Sequence, residues 1–390
     1  MANQEKGIMA VDSFSTNLPL QLTSFIGREH EIAEVKRLLA STRLLTLTGS
    51  GGCGKTRLAL QIAADSREDC ADGAWLVELA PLTGPALVAQ AVAAIFGLQE
   101  GTRRPLETAL KEYLREKNLL LVLDNCEHLI AACAQFADTF LHACPHLKIL
   151  ATSREALSVA GEAAYRVPSL AVPDPQHLPP IESLSRYDAV RLFIDRAISV
   201  QSTFNLNNHN APAVAQICSH LDGIPLALEL AAARVKIFSA EEIEKRLDDR
   251  FRLLTGGSRT ALPRQQTLRA LIDWSFDLLS APERVLLSRL SVFAGGWTFD
   301  AAEAVCSDQL IVNSNQFTVN SDQSTVSTVH RLLLTDILDL LSHLIDKSLV
   351  LAEEHDGVAR YRMLETIRQY AHDKLDATDE AEWVRNRHSD

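Results

Sequence analysis

One short segment constrains the fold of this chain more than any other. Residues 49–56, with the sequence GSGGCGKT, match the pattern GxxxxGK[ST] and stand between an apolar run and a helical pattern. Glycines allow the backbone to fold tightly, so that its N–H groups point inward at an anion. The start of the following helix adds the positive end of its dipole. The segment therefore predicts a strand, a phosphate-binding loop and a helix in succession.

The residues that close this loop carry the chemistry of a nucleotide site. Lys55 supplies a full positive charge for β- and γ-phosphates, and the Thr56 hydroxyl is a hard oxygen ligand for Mg²⁺. We therefore expect ATP or ADP to bind here together with Mg²⁺. The nucleotide-binding residues predicted in this segment are Gly49, Ser50, Gly51, Gly52, Cys53, Gly54, Lys55, Thr56 and Arg57.

Short apolar runs alternate with helical patterns around this loop. The runs predict strands over Leu44–Thr48, Ala74–Leu79, Leu119–Leu123, Leu147–Ala151 and Ala163–Val167. Nearly uninterrupted apolar strands separated by helices are typical of a parallel sheet covered on both faces. The fold class expected for this part is therefore an α/β P-loop NTPase domain.

The chain is expected to contain more than one domain, because 390 residues exceed one ordinary core. Residues 1–21 are polar and predict a flexible lead-in, and residues 22–170 predict the P-loop nucleotide-binding domain. Proline-rich residues 171–184 predict a linker that forms neither helix nor strand. Residues 185–258 predict an all-helical domain, in which a helix over Pro225–Phe238 begins with a proline in its first turn.

Residues 259–380 predict a winged-helix domain. Helical patterns are followed there by Leu349–Glu353 and Ala359–Met363, which predict a β-hairpin around Asp356-Gly357. Residues 313–328 are rich in Ser, Thr, Asn and Gln and predict a disordered insertion. Residues 381–390 predict the start of a truncated C-terminal helix.

Two strand ends supply further candidates. Asp124 closes the run LLLVL, where an aspartate can hold Mg²⁺. Asn125 follows, where most such ATPases carry a second carboxylate, and an amide can orient water but cannot accept its proton. Glu127 and His128 are alternatives for that task, or the exposed start of a helix predicted over Cys126–Cys144. We therefore expect hydrolysis to be slow or to depend on a partner.

Arg154 ends the fourth predicted strand, in the sequence ATSR. A cation there is able to contact the γ-phosphate and report its presence, and a plain surface arginine is the alternative. The candidate catalytic residues are therefore Lys55, Asp124 and Arg154, and the candidate metal ligands are Thr56 and Asp124.

Composition excludes several classes of protein. Apolar residues make up 47% and charged residues 23%, the balance of a globular chain, and no run of 18 uncharged apolar residues suggests a membrane span. The seven cysteines include no CxxC pair, which predicts reduced thiols in a cytoplasmic protein. The net charge of −12 argues against a DNA-binding surface.

An ordered set of motifs resembles a known class of proteins. The set comprises FIGRE, LTGSGGCGKTRLALQIA, LLLVLDNCEHL, LKILATSREAL, GIPLALELAAAR, DWSFDLLS and YRMLETIRQYAHDKL. In this set the chain resembles the signal-transducing ATPases with numerous domains (STAND), and within them the NB-ARC-like ATPases of large bacterial LuxR-type transcriptional regulators. The resemblance extends from about Leu22 to the C-terminus.

The resemblance implies a nucleotide enclosed by an α/β, a helical and a winged-helix domain. It implies that Ile26, Gly27 and Arg28 border the adenine, that Arg154 is a sensor of the γ-phosphate, and that Pro225 packs on the nucleotide. Two positions depart from the family, and the first is Asn125, which replaces the usual second acidic residue. Leu364 stands in Met363-Leu364-Glu365 where the family has a histidine that reaches the ADP β-phosphate, so discrimination between ADP and ATP is expected to be weaker.

The function that these features favour is a signalling switch that is closed with ADP and opened by ATP. We expect an ADP-bound monomer, and association with itself or with a protein partner in the ATP state. A DNA-binding ATPase with a winged helix is the first alternative, but residues 261–390 carry 12 Lys and Arg against 20 Asp and Glu, which is a net −8. The second alternative is an ATPase that hydrolyses ATP rapidly. Asn125 argues against it, because an amide cannot accept a proton from water.

Overall fold

The computed structural model of the chain describes residues 16–66, 69–99, 104–247, 254, 268–307, 334–355 and 358–389. They form two compact units. The first contains the described residues up to Phe25, Glu29–Thr48 and Lys55–Val167, and the second contains Ile26–Arg28, Gly49–Gly54 and the described residues from Pro168 onward. The predicted phosphate loop thus contributes its first residues to the second unit, whereas Lys55 and Thr56 belong to the first.

A five-stranded parallel sheet forms the centre of the first unit. Its strands are β1 (Leu44–Thr48), β2 (Ala74–Glu78), β3 (Leu120–Asp124), β4 (Lys148–Thr152) and β5 (Glu162–Arg166). Their order across the sheet is β2-β3-β4-β1-β5, and every neighbouring pair is parallel. Strand β4 therefore lies between β1, which leads into the phosphate loop, and β3, which ends at Asp124. The predicted α/β fold is confirmed.

Helices cover both faces of this sheet. They are α1 (Glu29–Ser41), α2 (Lys55–Asp65), α3 (Leu87–Ile95), α4 (Leu106–Leu114) and α5 (Ile130–Ala143). Because side chains alternate along a strand, Leu121 and Leu123 of β3 share a buried cluster with α3, α4 and α5. Leu120 and Val122 are buried on the opposite face, where α2 contacts β1, β3 and β4. Asp124 has the same parity as Leu120, so it lies on the α2 face.

Thr16 and Asn17 cover part of the free edge of β2. The Asn17 side chain donates to the Leu76 carbonyl at 2.8 Å and accepts from the Leu76 N–H at 2.7 Å. The Thr16 hydroxyl donates to the Ala74 carbonyl at 2.7 Å. Backbone groups at a sheet edge can otherwise pair with other chains. The rest of the predicted lead-in before Thr16 lies outside the described residues.

The second unit is mainly helical. Its helices are α6 (Ile181–Leu184), α7 (Asp188–Val200), α8 (Ala211–His220), α9 (Pro225–Ala232), α10 (Ala240–Lys245), α11 (Leu268–Asp277), α12 (Ala281–Leu290), α13 (Phe299–Cys306), α14 (Leu334–Asp346), α15 (Glu365–Asp376) and α16 (Ala381–Ser389). One buried apolar cluster includes residues from Leu170 to Val384. The part from Pro168 onward therefore shares a continuous core.

A β-hairpin stands between α14 and α15. Strands β6 (Leu351–His355) and β7 (Val358–Arg362) are antiparallel, and Leu351 pairs with Arg362. Trp297 extends the hairpin, because its backbone exchanges two hydrogen bonds of 2.8 Å with Tyr361. The predicted hairpin is present, although its predicted turn at Asp356-Gly357 and the predicted insertion over residues 313–328 lie outside the described residues.

Three predicted segments differ from the structure. The predicted helix Cys126–Cys144 is divided into a 3₁₀ turn, Cys126–His128, and α5, because Leu129 has a non-helical backbone. The predicted helix Pro225–Phe238 changes from α9 to a 3₁₀ turn over Ala233–Lys236. The predicted linker was wrong at its end, where α6 follows Pro180, since a proline before the first turn removes no helical hydrogen bond.

All seven cysteines are free thiols and are buried. Burial raises the pKa of Cys218 and of Cys306. None of the helices in the described part of the chain combines the length and apolar character that a membrane span requires.

Candidate nucleotide and metal site

The loop between β1 and α2 has a backbone conformation that requires glycine at two positions. The φ angle is +76° at Gly52 and +96° at Gly54, a region that residues with a Cβ rarely adopt. Cys53 between them is fully buried, and its N–H donates to the Ser50 carbonyl at 3.4 Å. The loop therefore makes the tight turn that its glycine pattern predicts.

Arg28 braces this loop from inside the second unit. Its side chain is buried, and Nη2 donates to the Cys53 carbonyl at 2.8 Å and to the Pro168 carbonyl at 2.7 Å. The N–H and C=O of a trans peptide point in opposite directions. Because the Cys53 carbonyl faces Arg28, the Gly54 N–H points away from Arg28. The guanidinium of Arg28 thus supports the loop, and the adenine border that the resemblance implies for this residue stays a prediction.

The turn before α9 meets the same loop. The Leu226 N–H donates to the Gly52 carbonyl at 3.3 Å. A Cβ placed on Gly54 would lie 3.9 Å from Cγ of Pro225, which is ordinary van der Waals contact. Pro225 is thus in place beside the predicted phosphate loop.

Gly27 is fixed by helix α7. Its φ is +70°, and a Cβ there would lie 2.4 Å from Cγ of Asp188, the first residue of α7. The Asp188 carboxylate would have to move to admit a Cβ, and the positive φ disfavours any residue that has one. Ile26, the neighbouring residue, packs against the buried cluster of this unit. The segment predicted to border the adenine is therefore attached to α7.

A buried carboxylate stands at the end of β3 in the first unit. Asp124 Oδ1 accepts hydrogen bonds from the hydroxyls of Thr56 at 2.7 Å and Thr152 at 2.6 Å. Burial raises the pKa of Asp124, and the two hydroxyls and the nearby charge of Lys55 oppose that shift. The structure thus brings together the two residues that sequence analysis predicted as metal ligands.

The residues around Asp124 fit Mg²⁺. A carboxylate and a threonine hydroxyl in direct contact are the hard oxygen donors that this ion prefers. The raised pKa means that the surroundings disfavour the charged carboxylate, and a bound cation reverses that preference. In the described ranges, no group of three or more His, Cys, Asp or Glu side chains is placed so that it could hold a metal ion.

Asn125 and Thr152 complete the hydrogen bonding of Asp124. The Asn125 side chain donates from Nδ2 to Asp124 Oδ2 at 2.6 Å, and its backbone N–H donates to Thr152 Oγ1 at 3.0 Å. Asn125 has a left-handed backbone with φ of +64°, which asparagine tolerates better than most residues. Sequence analysis missed Thr152, whose signal was its place at the end of a strand in ATSR.

Arg154 is not a surface residue. It is buried two residues after the end of β4, and its Nε lies 3.7 Å from Oε1 of Glu127. The Glu127 side chain is only 8% exposed, so the alternative of an exposed helix start was wrong for this residue. A buried ion without a partner of opposite charge is costly, so each of the two stabilises the other. Arg154 therefore faces Glu127 in this structure.

The Arg57 side chain contacts the segment before α1. Its Nη2 donates to the carbonyls of Thr23 and Ser24, each at 3.0 Å. Arg57 therefore fastens the segment before α1 to α2.

A strand, a glycine-rich turn and a helix, with a buried aspartate against the first threonine of that helix, define a P-loop ATPase module. The family described as AAA domain matches residues 39–160, which include the loop, Asp124 and Arg154. That match covers the centre of the first unit.

This chain belongs to the family that includes "Uncharacterized protein Rv0894" of Mycobacterium tuberculosis. The two are 41% identical over 363 residues, which are 93% of this chain and 84% of that protein. "Putative HTH-type transcriptional regulator Rv0890c" of the same species is 46% identical over 356 residues, 91% of this chain and 36% of the regulator. The chain thus spans about a third of the regulator's length. The AAA domain confirms the predicted P-loop ATPase, and the regulator relative agrees with the predicted resemblance to proteins of bacterial transcriptional regulation.

Two solved structures align with most of the chain. A STAND protein with a tetratricopeptide repeat sensor from Pyrococcus horikoshii covers 95% of this chain and 45% of its own, with 15% identity and a TM-score of 0.38. The ORC2 protein of Aeropyrum pernix covers 93% of this chain and 98% of its own, with 14% identity and a TM-score of 0.48.

Proposed function

We propose that this chain is a regulatory nucleotide switch, closed with ADP and opened by ATP, with slow hydrolysis. The observation that carries the proposal is the contact between Asn125 and Asp124. Asn125 stands where a second carboxylate would be expected, and its Nδ2 donates a hydrogen bond to Oδ2 of Asp124 at 2.6 Å. An amide cannot accept a proton from water. When hydrolysis is slow, the bound nucleotide persists, and its identity can define the state of the switch.

The phosphate-binding residues act through charge and backbone geometry. The Gly54 N–H, directed away from Arg28, and the start of α2 attract the phosphates, and Lys55 adds a full charge. Thr56 and Asp124 hold Mg²⁺, which neutralises charge on the phosphates. The loop binds a β-phosphate whether or not a γ-phosphate follows. ADP and ATP therefore both occupy the site.

Arg154 is the residue proposed to sense the γ-phosphate. In this structure its partner is Glu127, and both side chains are buried. A γ-phosphate offers the guanidinium a second, more highly charged partner. Competition between that phosphate and Glu127 is the proposed signal that distinguishes ATP from ADP.

Among the described residues, Glu78 is a candidate base for residual hydrolysis at the same edge of the sheet. Glu78 ends β2 in register with Asp124. Leu76 and Glu78 lie on the α2 face, because Val77 between them belongs to the cluster on the other face. The Glu78 residue is exposed. An exposed carboxylate is poorly positioned, which is consistent with slow turnover.

We further propose that α11 to α16 and the hairpin form a winged-helix domain that transmits the state. The hairpin and the bridge between Trp297 and Tyr361 support this assignment. The name of the longer relative suggests that the whole protein regulates transcription. The net charge of −8 over residues 261–390 argues that DNA is not contacted by this part.

The test is to identify the nucleotide in freshly purified protein. We expect extracted nucleotide to elute as ADP from an anion-exchange column, and light scattering to give the mass of a monomer. The Lys55→Ala variant, purified in parallel, should contain little nucleotide. Mostly ATP, or no nucleotide in the wild type, contradicts the closed ADP state.

A further inference from the structure

Asp222 caps a helix that begins far away in the sequence. Its Oδ1 accepts from the backbone N–H of Glu365 at 3.1 Å, and its Oδ2 accepts from the N–H of Thr366 at 3.0 Å. The Thr366 hydroxyl also donates to Oδ2 at 3.1 Å. Leu364, the residue before α15, supplies no side-chain cap. Asp222 therefore performs for α15 the role of an N-cap residue.

This cap is a strong one for physical reasons. A carboxylate at the start of a 12-residue helix interacts favourably with the helix dipole. Hydrogen bonds that involve an ion are stronger than those between neutral groups. Thr366 is completely buried, so loss of Asp222 leaves buried donors without an acceptor.

The backbone around Asp222 has little freedom to move. Asp222 and Gly223 are both left-handed, with φ of +53° and +62°. A Cβ on Gly223 would lie 2.2 Å from the Leu170 carbonyl oxygen. The Leu170 N–H in turn donates to the Gly223 carbonyl at 3.0 Å. The turn is thus held on one side by Leu170 and on the other by α15.

The same turn continues directly into the phosphate loop contact. Pro225 and Leu226 follow Asp222 by three and four positions, and Leu226 donates to the Gly52 carbonyl at 3.3 Å. A movement of α15 that displaces Asp222 must therefore act on the donor that holds Gly52.

We propose that Asp222 is a positioning residue that couples the start of α15 to the phosphate loop and so slows ADP release. The inference rests on the proposed nucleotide switch. Residue 364 is a leucine, 7% exposed within the apolar core, and a leucine side chain offers phosphate no hydrogen bond. Asp222 gives α15 a connection to the loop that needs no direct contact with nucleotide.

The experiment compares Asp222→Asn, Thr366→Val and the matched control Thr298→Ala. Asparagine tolerates the left-handed backbone but carries no charge, and Thr366→Val removes the hydroxyl donor alone. Thr298 caps α13 by accepting from the Ala301 N–H at 3.3 Å and belongs to neither the turn nor the loop. Each protein is loaded with fluorescent ADP, chased with unlabelled ADP, and analysed by hydrogen exchange with and without nucleotide.

We expect ADP release to be about tenfold faster for Asp222→Asn, which corresponds to ~1.4 kcal/mol, and about twofold to threefold faster for Thr366→Val. Thr298→Ala should lower thermal stability yet leave release unchanged. Without nucleotide, Asp222→Asn should speed exchange in peptides covering both 365–370 and 49–54.

Faster exchange at 365–370 with no change at 49–54 would overturn the coupling, as would equal release rates for Asp222→Asn and Thr298→Ala. If Asp222→Asn fails to fold, the comparison of Thr366→Val with Thr298→Ala decides in the same way. A wild type that binds no ADP contradicts the nucleotide switch, and the exchange of the two peptides without nucleotide still decides the coupling.

Discussion

The Asn125 side chain donates a hydrogen bond of 2.6 Å to the same carboxylate, that of Asp124, that accepts from Thr56. The Asn125 amide therefore favours the ionised form of Asp124, which burial disfavours. The amide of Asn125 takes the place of a second carboxylate and donates a hydrogen bond to the first one, Asp124.

Asn125→Asp is expected to make the stability of the site around Asp124 and Thr56 depend on a bound cation. The aspartate cannot donate to Asp124, and two adjacent carboxylates repel each other. In EDTA we expect a loss of about 1–3 kcal/mol in the free energy of unfolding, measured as a lower melting temperature. Mg²⁺ with ADP should restore most of the loss. Equal melting temperatures for variant and wild type in EDTA would show that the Asn125 amide contributes nothing.

Lys55→Ala is expected to weaken ADP binding at least tenfold, because a full positive charge opposite the phosphates is removed. Lys36→Ala is the matched control, since Lys36 is exposed and paired with Asp65 at 2.9 Å. Titration calorimetry in the presence of Mg²⁺ measures the ADP affinity of both variants. Unchanged affinity in Lys55→Ala would exclude residues 49–56 as the phosphate site.

Glu78→Gln is expected to reduce residual hydrolysis about tenfold or more, because glutamine cannot accept a proton from water. ADP affinity should be unchanged. Glu116→Gln, an exposed change elsewhere in the first unit, is the control. Single-turnover release of phosphate from ATP measures the rate. A rate in Glu78→Gln that equals the control would remove Glu78 from the mechanism.

The lowered pKa of Glu283 predicts how the free energy of unfolding depends on pH. Its side chain is buried, which opposes ionisation, but hydrogen bonds from Lys347 at 2.7 and 2.8 Å and from the Ser280 N–H at 2.7 Å hold its pKa below the usual 4.5. A carboxyl whose pKa is lower in the folded state stabilises that state above the unfolded value. The contribution is therefore lost as pH falls below about 4.5 and through the folded value.

The melting temperature of Glu283→Gln should accordingly lie below that of the wild type at pH 7, and the two should converge in acid. Glu354→Gln, a change at an exposed position on β6, should follow the wild type throughout. A difference between Glu283→Gln and wild type that stays constant down to pH 3 contradicts the assigned ion pair.

Duplex DNA is expected not to bind this chain at physiological salt. The net charge of −8 over residues 261–390 repels phosphates and leaves few counterions to release. Fluorescence anisotropy with a labelled duplex, repeated at two salt concentrations, measures binding. Sub-micromolar, salt-sensitive affinity would favour the DNA-binding alternative.

The sequence was sufficient for the features that depend on local order. The glycine pattern, the lysine and threonine after it, and the apolar run before Asp124 all lie within single elements. Strand β1 has the predicted bounds, Leu44–Thr48. Such features follow from periodicity and turn chemistry, which a short window of residues contains.

The contacts that depend on strand order could not be predicted in this way. Thr152 reaches Asp124 because β4 lies beside β3, and the sequence does not state which strands are neighbours. Asp222 and Thr366 are separated by 144 positions. Glu127 was ambiguous for a related reason, since its buried partner Arg154 follows a different strand, β4.

The burial of all seven thiols makes the native chain a suitable background for chemical labelling. Thiolates are the reactive form, and burial in apolar surroundings disfavours them. A pair of cysteines introduced at exposed positions, one in each compact unit, should react selectively with a maleimide dye without removal of any native cysteine. Energy transfer between two such dyes can then report directly on the distance between the units as ADP is exchanged for ATP.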